Sequence, residues 1–136
     1  MSAFLQSIEW RADYNIGNEK IDRQHRMLCE LVNEVIHSSN ENSKINERLL
    51  IVVTFMGNYV EFHFNDEEAI QIKCSYPEYE SHKKIHDNFR AVIKNYIERY
   101  KKEPASRELL GELIEAARGW LLGHIQGEDQ KIKNYL

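Results

Sequence analysis

His82-Lys83-Lys84-Ile85-His86-Asp87-Asn88-Phe89-Arg90-Ala91-Val92-Ile93-Lys94-Asn95-Tyr96-Ile97-Glu98-Arg99-Tyr100 is the stretch on which the fold turns. Steps of four and three put His82, His86, Phe89, Ile93, Tyr96 and Tyr100 on one stripe, the seam of a packed helix. Polar residues fill much of the remaining face. Two histidines stand where this pattern asks for apolar side chains.

The same rhythm recurs on both sides. Upstream it gives Ile21, His25, Leu28, Val32 and Val35, then Leu49, Val53, Met56, Val60, His63, Glu67 and Ile70. Downstream it gives Leu110, Leu113, Ala117, Trp120 and His124. The spacing predicts a first helix from about Glu19 to Ser38 with Asn18 as N-cap, and a second from about Lys44 to Lys73 capped by Ser43. Cys74 to Pro77 breaks the pattern, with Pro77 suited to the first turn of a third helix reaching about Lys101. After the break from Lys102 to Ser106, a fourth helix runs to about Gln126, where Gly127 is expected to stop it. Asp129 to Leu136 is expected to add a short terminal helix. An N-terminal arm with Phe4, Ile8 and Trp10 should pack on the bundle. Short connections favour antiparallel neighbours, so the expected fold is all-α, an up-down-up-down four-helix bundle forming one domain over residues 1–136.

Composition excludes several classes. The chain has 136 residues, 42% of them apolar and 29% charged, enough for one domain with a substantial core. A net charge of -4 and a pI near 5.9 leave no basic footprint for nucleic acid. Lys131 and Lys133 are read as a solvated helix end. The longest apolar run, Leu49 to Met56 with Thr54 inside it, is too short to insert in a membrane. The N-terminus has no basic n-region and no sustained apolar segment, so a cytoplasmic location is expected. Cys29 and Cys74 form no recognisable pair and are read as free, buried thiols.

Start and end of antiparallel helices lie level, so His25, His63, Glu67, His82, His86 and His124 all fall at one end of the core. Asp129, five residues beyond His124, can join them if the chain curls back past Gly127. One inward histidine is ordinarily a core residue satisfied by a neighbour, and one His-x-x-x-His is weak. Five on one layer are another matter, because burying so many polar groups without partners costs several kcal/mol each, roughly. His37 lies off the seam and is read as solvated. Five nitrogens and two carboxylates exceed one tetrahedral zinc and are too nitrogen-rich for calcium or magnesium. They suit two octahedral first-row ions bridged by carboxylates, with iron the favoured metal. Glu-rich di-iron bundles use paired Glu-x-x-His motifs, and none falls on these seams. A ligand set rich in neutral imidazoles favours oxygen binding over O–O cleavage.

Ile21-Asp22-Arg23-Gln24-His25, His63-Phe64-Asn65-Asp66-Glu67-Glu68, His82-Lys83-Lys84-Ile85-His86, and Trp120-Leu121-Leu122-Gly123-His124-Ile125 leading to Asp129 resemble the hemerythrin family. Trp10 and the stretch from Tyr14 to Gly17 look like its bacterial single-domain type. The resemblance covers essentially the whole chain. It implies one iron on His82, His86 and His124 and a second on His25 and His63. Glu67, Asp129 and an oxo or hydroxo group would bridge the two. The second iron would keep one position open for dioxygen. Leu28, Phe64, Trp120 and Ile125 resemble the family's apolar oxygen pocket, and each also fits an ordinary core position. Glu68 and Glu128 neighbour ligand positions and are read as solvated surface, with support of the ligands as the alternative. Cys29, one turn past His25, is not read as a ligand.

The function expected is reversible dioxygen binding for storage, transport or delivery, with no enzymatic activity. Two alternatives stay open. An oxygen or redox sensor would act through a signalling partner, just as a carrier might serve an oxygen-consuming one. A di-iron enzyme reducing peroxide or nitric oxide would need an electron donor, and no nucleophile, flavin motif or catalytic acid is visible. A metal-free structural bundle is the plainest competitor. A monomer is favoured.

Overall fold

The computed structural model describes residues 7–38 and 45–136. Phe4, Ser43 and Lys44, which figured in the expected arm and second helix, lie outside them. The described residues are helical with no strand among them. Helix α1 spans Glu19–Ser38, α2 Ile45–Phe55, α3 Glu61–Lys73, α4 Tyr79–Lys102 and α5 Arg107–Trp120. A π-helical turn, Met56–Val60, joins α2 to α3 without a break, since Phe55, Val60 and Glu61 all keep right-handed helical dihedrals. A second π segment, Leu121–Glu128, continues α5 and passes into a 3-10 segment, Asp129–Tyr135. Four rods result, arranged as a four-helix bundle.

Local chemistry sets the ends. Asn18 caps α1, its Oδ1 accepting from Ile21 N–H at 3.0 Å. Asp22 reaches back to the N–H groups of Ile16 and Gly17 at 2.7 and 3.2 Å. Gly17 takes φ 97, a left-handed conformation that a side chain would resist. After α3, Tyr76 N–H donates to Gln71 O at 2.9 Å and Ser75 N–H to Ile72 O at 3.1 Å. That is a Schellman termination with Ser75 at φ 56 in the seat usually held by glycine. Pro77 falls in the following turn, closed by Tyr79 N–H to Tyr76 O at 3.2 Å, so α4 begins two residues later than expected. Ser106 Oγ caps α5 through Leu109 N–H at 3.1 Å.

Gly127 does not stop the last helix. The chain passes through it in wider π winding, which keeps it against the bundle instead of turning away. The expected terminal helix is the 3-10 segment, buried at Asp129 and Ile132.

The core follows the seams. Ile21, Leu28, Val32, Val35, Leu49, Val53, Met56, Val60, Ile93, Leu110 and Leu113 are buried. Phe89, Tyr96, Tyr100, Ala117 and Trp120 pack on them half-buried. Beyond the first π turn the stripe slips by one residue at its end: Ile70 is half-buried and Gln71 fully buried. Arm residues Ile8 and Trp10 lie against the bundle, with Ile8 N–H and C=O both bonded to the Asn33 amide at 2.6 and 2.7 Å. Cys29 is buried beneath Ile8 and Cys74 is half-buried. His37 is exposed, 2.9 Å from Ser7 Oγ. No helix among the described residues is long and apolar enough to cross a membrane.

Candidate metal centre

Each rod contributes to one polar layer in the core. α1 supplies His25, α3 supplies His63 and Glu67, and α4 supplies His82 and His86. The π segment supplies His124, and the 3-10 segment starts with Asp129. All seven are buried, and the structure brings all seven together.

Their atoms sort into two groups. Nε2 of His82 lies 2.8 Å from Glu67 Oε1 and 3.0 Å from Asp129 Oδ1. His86 Nε2 is 3.1 Å from Glu67 Oε1, and His124 Nε2 is 2.9 Å from Asp129 Oδ1. On the other side, His25 Nε2 lies 3.2 Å from Asp129 Oδ2 and 3.4 Å from Glu67 Oε2. His63 Nε2 is 3.5 Å from the same Glu67 oxygen. Glu67 thus turns one oxygen to three imidazoles and the other to two, and Asp129 turns one oxygen to two imidazoles and the other to one. Within either group the ligand-type atoms lie within 4.8 Å of one another.

Apart from the hydrogen bond between His82 Nε2 and Glu67 Oε1, these short distances do not amount to well-directed hydrogen bonds. Glu67 Oε2, both Asp129 oxygens and His86 Nε2 are buried without a hydrogen-bond partner. The Nε2 atoms of His25 and His63 face each other at 3.0 Å, and those of His124 and His82 at 3.1 Å. Two facing imidazole nitrogens can share one proton at most, so lone pairs converge on common points. The donor set fits a cation that accepts nitrogen and oxygen ligands together.

Electrostatics carry the same imprint. Burial works against a charge on His25, yet the carboxylates of Asp129 and Glu67 beside it raise its pKa to about 9. His82 rises to about 10 through the same balance. Burial and the neighbouring His25 lower His63 to about 4. Burial opposes ionisation of Glu67, but the close approach of His25, His82 and His86 holds it well below the usual carboxylate range. Asp129 is depressed too: burial and Glu67 raise it, and His124 and His25 outweigh them.

Aromatic walls orient the imidazoles. Phe64 stacks on His86 with ring centroids 4.0 Å apart at 6°, and Trp120 stacks on His124 at 3.8 Å and 17°. Leu28 and Trp120 also line an apolar cavity of about 20 Å³ inside the bundle. Phe64 and Ile125 are fully buried beside the ligands and do not line it.

Outer partners fix two histidines. His63 Nδ1–H donates to Gln24 Oε1 at 2.7 Å, and Gln24 Nε2 donates to Asp66 at 2.7 Å. His86 Nδ1–H donates to Glu68 Oε2 at 2.8 Å. Glu68 is therefore buried against a ligand-layer histidine and not solvated surface. The sign was in the sequence, because Phe64, Glu68 and Gln71 extend a second inward stripe at helical spacing beside His63 and Glu67. Nothing local singled out Gln24, whose partner lies in another helix. Glu128 does face outward, near Lys131.

The profile described as the hemerythrin HHE cation binding domain matches residues 16–136. The chain belongs to the hemerythrin family. Among its hemerythrin relatives, a bacteriohemerythrin of Stenotrophomonas maltophilia is 32% identical over 89% of this chain and 76% of its own. A hemerythrin of Sipunculus nudus is 32% identical over 93% of this chain and 92% of that protein. A myohemerythrin of Theromyzon tessulatum is 32% identical over 94% and 92%. The stretch matched by the hemerythrin profile, 16–136, contains all seven clustered side chains.

Proposed function

We propose that this hemerythrin holds two iron ions and binds dioxygen reversibly. The observation that carries the reading is the division of the carboxylate oxygens. Glu67 Oε1 turns to His82, His86 and His124 and its Oε2 to His25 and His63, while Asp129 Oδ1 turns to His82 and His124 and its Oδ2 to His25. Two carboxylates so placed would be shared between two ions. His82, His86 and His124 would hold one ion and His25 and His63 the other, and the side with fewer imidazoles would have room for a diatomic ligand.

Iron in that arrangement supplies the electrons for holding dioxygen. The chain's own residues do the rest. Gln24 and Glu68 hold the protons of His63 and His86 on Nδ1, which leaves each Nε2 lone pair free for metal. Trp120 and Phe64 lock the His124 and His86 rings by stacking. Water exclusion falls to the next layer. Leu28, Val60, Phe89 and Trp120 stand three or four residues from His25, His63, His86 and His124, and all four line the apolar cavity. A cavity so lined stays dry, which favours release of dioxygen unchanged over its loss as peroxide.

Metal analysis and gas uptake test the proposal together. The loaded protein should carry two irons per chain, and its anaerobically reduced form should take up one dioxygen per chain and return it under argon. One iron per chain, or net oxygen consumption without recovery, would overturn it; the second outcome would favour a redox enzyme.

A further inference from the structure

Outside His86 the bundle carries a charge arrangement that ligand binding alone does not require. Glu68 Oε2 accepts His86 Nδ1–H at 2.8 Å and, on the same oxygen, meets Arg90 Nη1 at 2.9 Å. Arg90 is one turn beyond His86 on α4, and its side chain is 20% exposed. Its Nε donates to Glu61 at 2.9 Å and its Nη1 to Asp87 at 2.8 Å. The guanidinium carbon also lies 5.1 Å from the Phe64 ring centroid, and Phe64 stacks on His86. One cation therefore grips the carboxylate that holds His86 and the ring that covers it.

A comparison exists within the molecule. His63 donates its Nδ1–H to a neutral amide, Gln24, and His86 to a carboxylate. A carboxylate acceptor draws the Nδ1 proton toward itself and makes Nε2 a stronger donor, which favours the more highly charged state of a metal on that nitrogen. An arginine on the same carboxylate oxygen offsets that pull. Arginine stays charged at any working pH, so the offset is permanent.

We propose that Glu68 and Arg90 are an opposed pair of positioning residues. Glu68 fixes His86 and enriches its Nε2, and Arg90 holds that enrichment in check so that the centre keeps its ferrous form accessible. This rests on the reading of His86 as an iron ligand. The two residues should act with opposite sign on the ferric–ferrous balance. Glu68→Gln keeps an acceptor but removes the charge, giving His86 the environment of His63. Arg90→Met keeps length and apolar contact with Phe64 but leaves Glu68 unopposed.

The test is a spectroelectrochemical titration of the iron-loaded wild type, Glu68→Gln, Arg90→Met and Arg90→Lys proteins, with iron content and melting temperature measured on each. Glu68→Gln should shift the midpoint potential upward and Arg90→Met downward, and Arg90→Lys should lie closer to wild type than Arg90→Met. Release of iron to a chelator should be about tenfold faster or more in Glu68→Ala, which leaves Nδ1–H without an acceptor. A purely packing role would lower stability in both variants and move the potentials in no opposed order. Shifts of one sign, or none, in variants that retain iron would overturn the proposal. Absence of iron from the wild type would instead overturn the reading of the centre.

Discussion

Histidine protons govern this site at the residue scale. In the metal-free protein His25 and His82 have pKa values of about 9 and 10, so both are protonated at pH 7. A metal needs their Nε2 lone pairs, so loading at pH 7 should release one proton from each, visible with a pH indicator in weak buffer. Loading above pH 10 should release none from these two. Stability of the metal-free chain follows with defined signs. Raised His25 and His82 contribute fully below about pH 6.5, and this contribution disappears as pH rises through about 9 and 10. The depressed carboxylates Glu67 and Asp129 contribute above their ordinary values, and lose this as pH falls through the lower folded ones. His63, lowered to about 4, penalises folding as pH drops from 6.5 toward 4. A chemical-denaturation series should therefore find the metal-free optimum at about pH 6, with stability falling as pH rises toward 9 and as it drops toward 4. Substitution of His63 or His124 by alanine removes one ligand from either group, and each variant should retain fewer than two irons per chain on metal analysis. Most of these residues were legible in the sequence because a polar side chain on an apolar seam stands out. Gln24 was not, since its role depends on a partner 39 positions away.

At the scale of elements, the two π segments explain what simple heptad counting captured and what it did not. His124 and Asp129 are five residues apart, about 1.4 turns of an ordinary α-helix, which would point them apart. The π winding of Leu121–Glu128 bonds residues at that spacing and brings Asp129 Oδ1 to 2.9 Å from His124 Nε2. Sequence reasoning reached the same pair by supposing that Gly127 ends the helix and the chain curls back. The structure brings the two side chains together by π winding through Gly127 and not by a break there. The first π turn similarly moves the buried stripe from Ile70 to Gln71 at the end of α3. Helix ends offer cleaner tests. Ser75 occupies a left-handed position that glycine adopts freely, so Ser75→Gly should raise stability by up to about 1 kcal/mol in thermal melts. Ser106→Ala removes the α5 cap and should cost about 1 kcal/mol in the same assay.

Across the whole molecule, four rods are held at one end by a polar layer and along the rest by an apolar core. The layer's demand for metal makes binding part of the folding free energy. Removal of iron by a chelator should lower the melting temperature, and iron added back should restore it. On the proposed function, the apolar cavity lined by Leu28, Val60, Phe89 and Trp120 keeps water from the oxygen position. Leu28→Ser would set a hydroxyl on its wall, and the oxygenated state should then decay faster to an oxidised one, followed by stopped-flow absorbance.

The central claim is tested most directly by the visible absorption spectrum of the iron-loaded, anaerobically reduced protein through one cycle of oxygen and argon. The account predicts a nearly colourless reduced form, a visible band that grows with oxygen, and its loss under argon with return of the starting spectrum. Direct passage to a stable oxidised spectrum, with no oxygenated species even on rapid mixing, would contradict it.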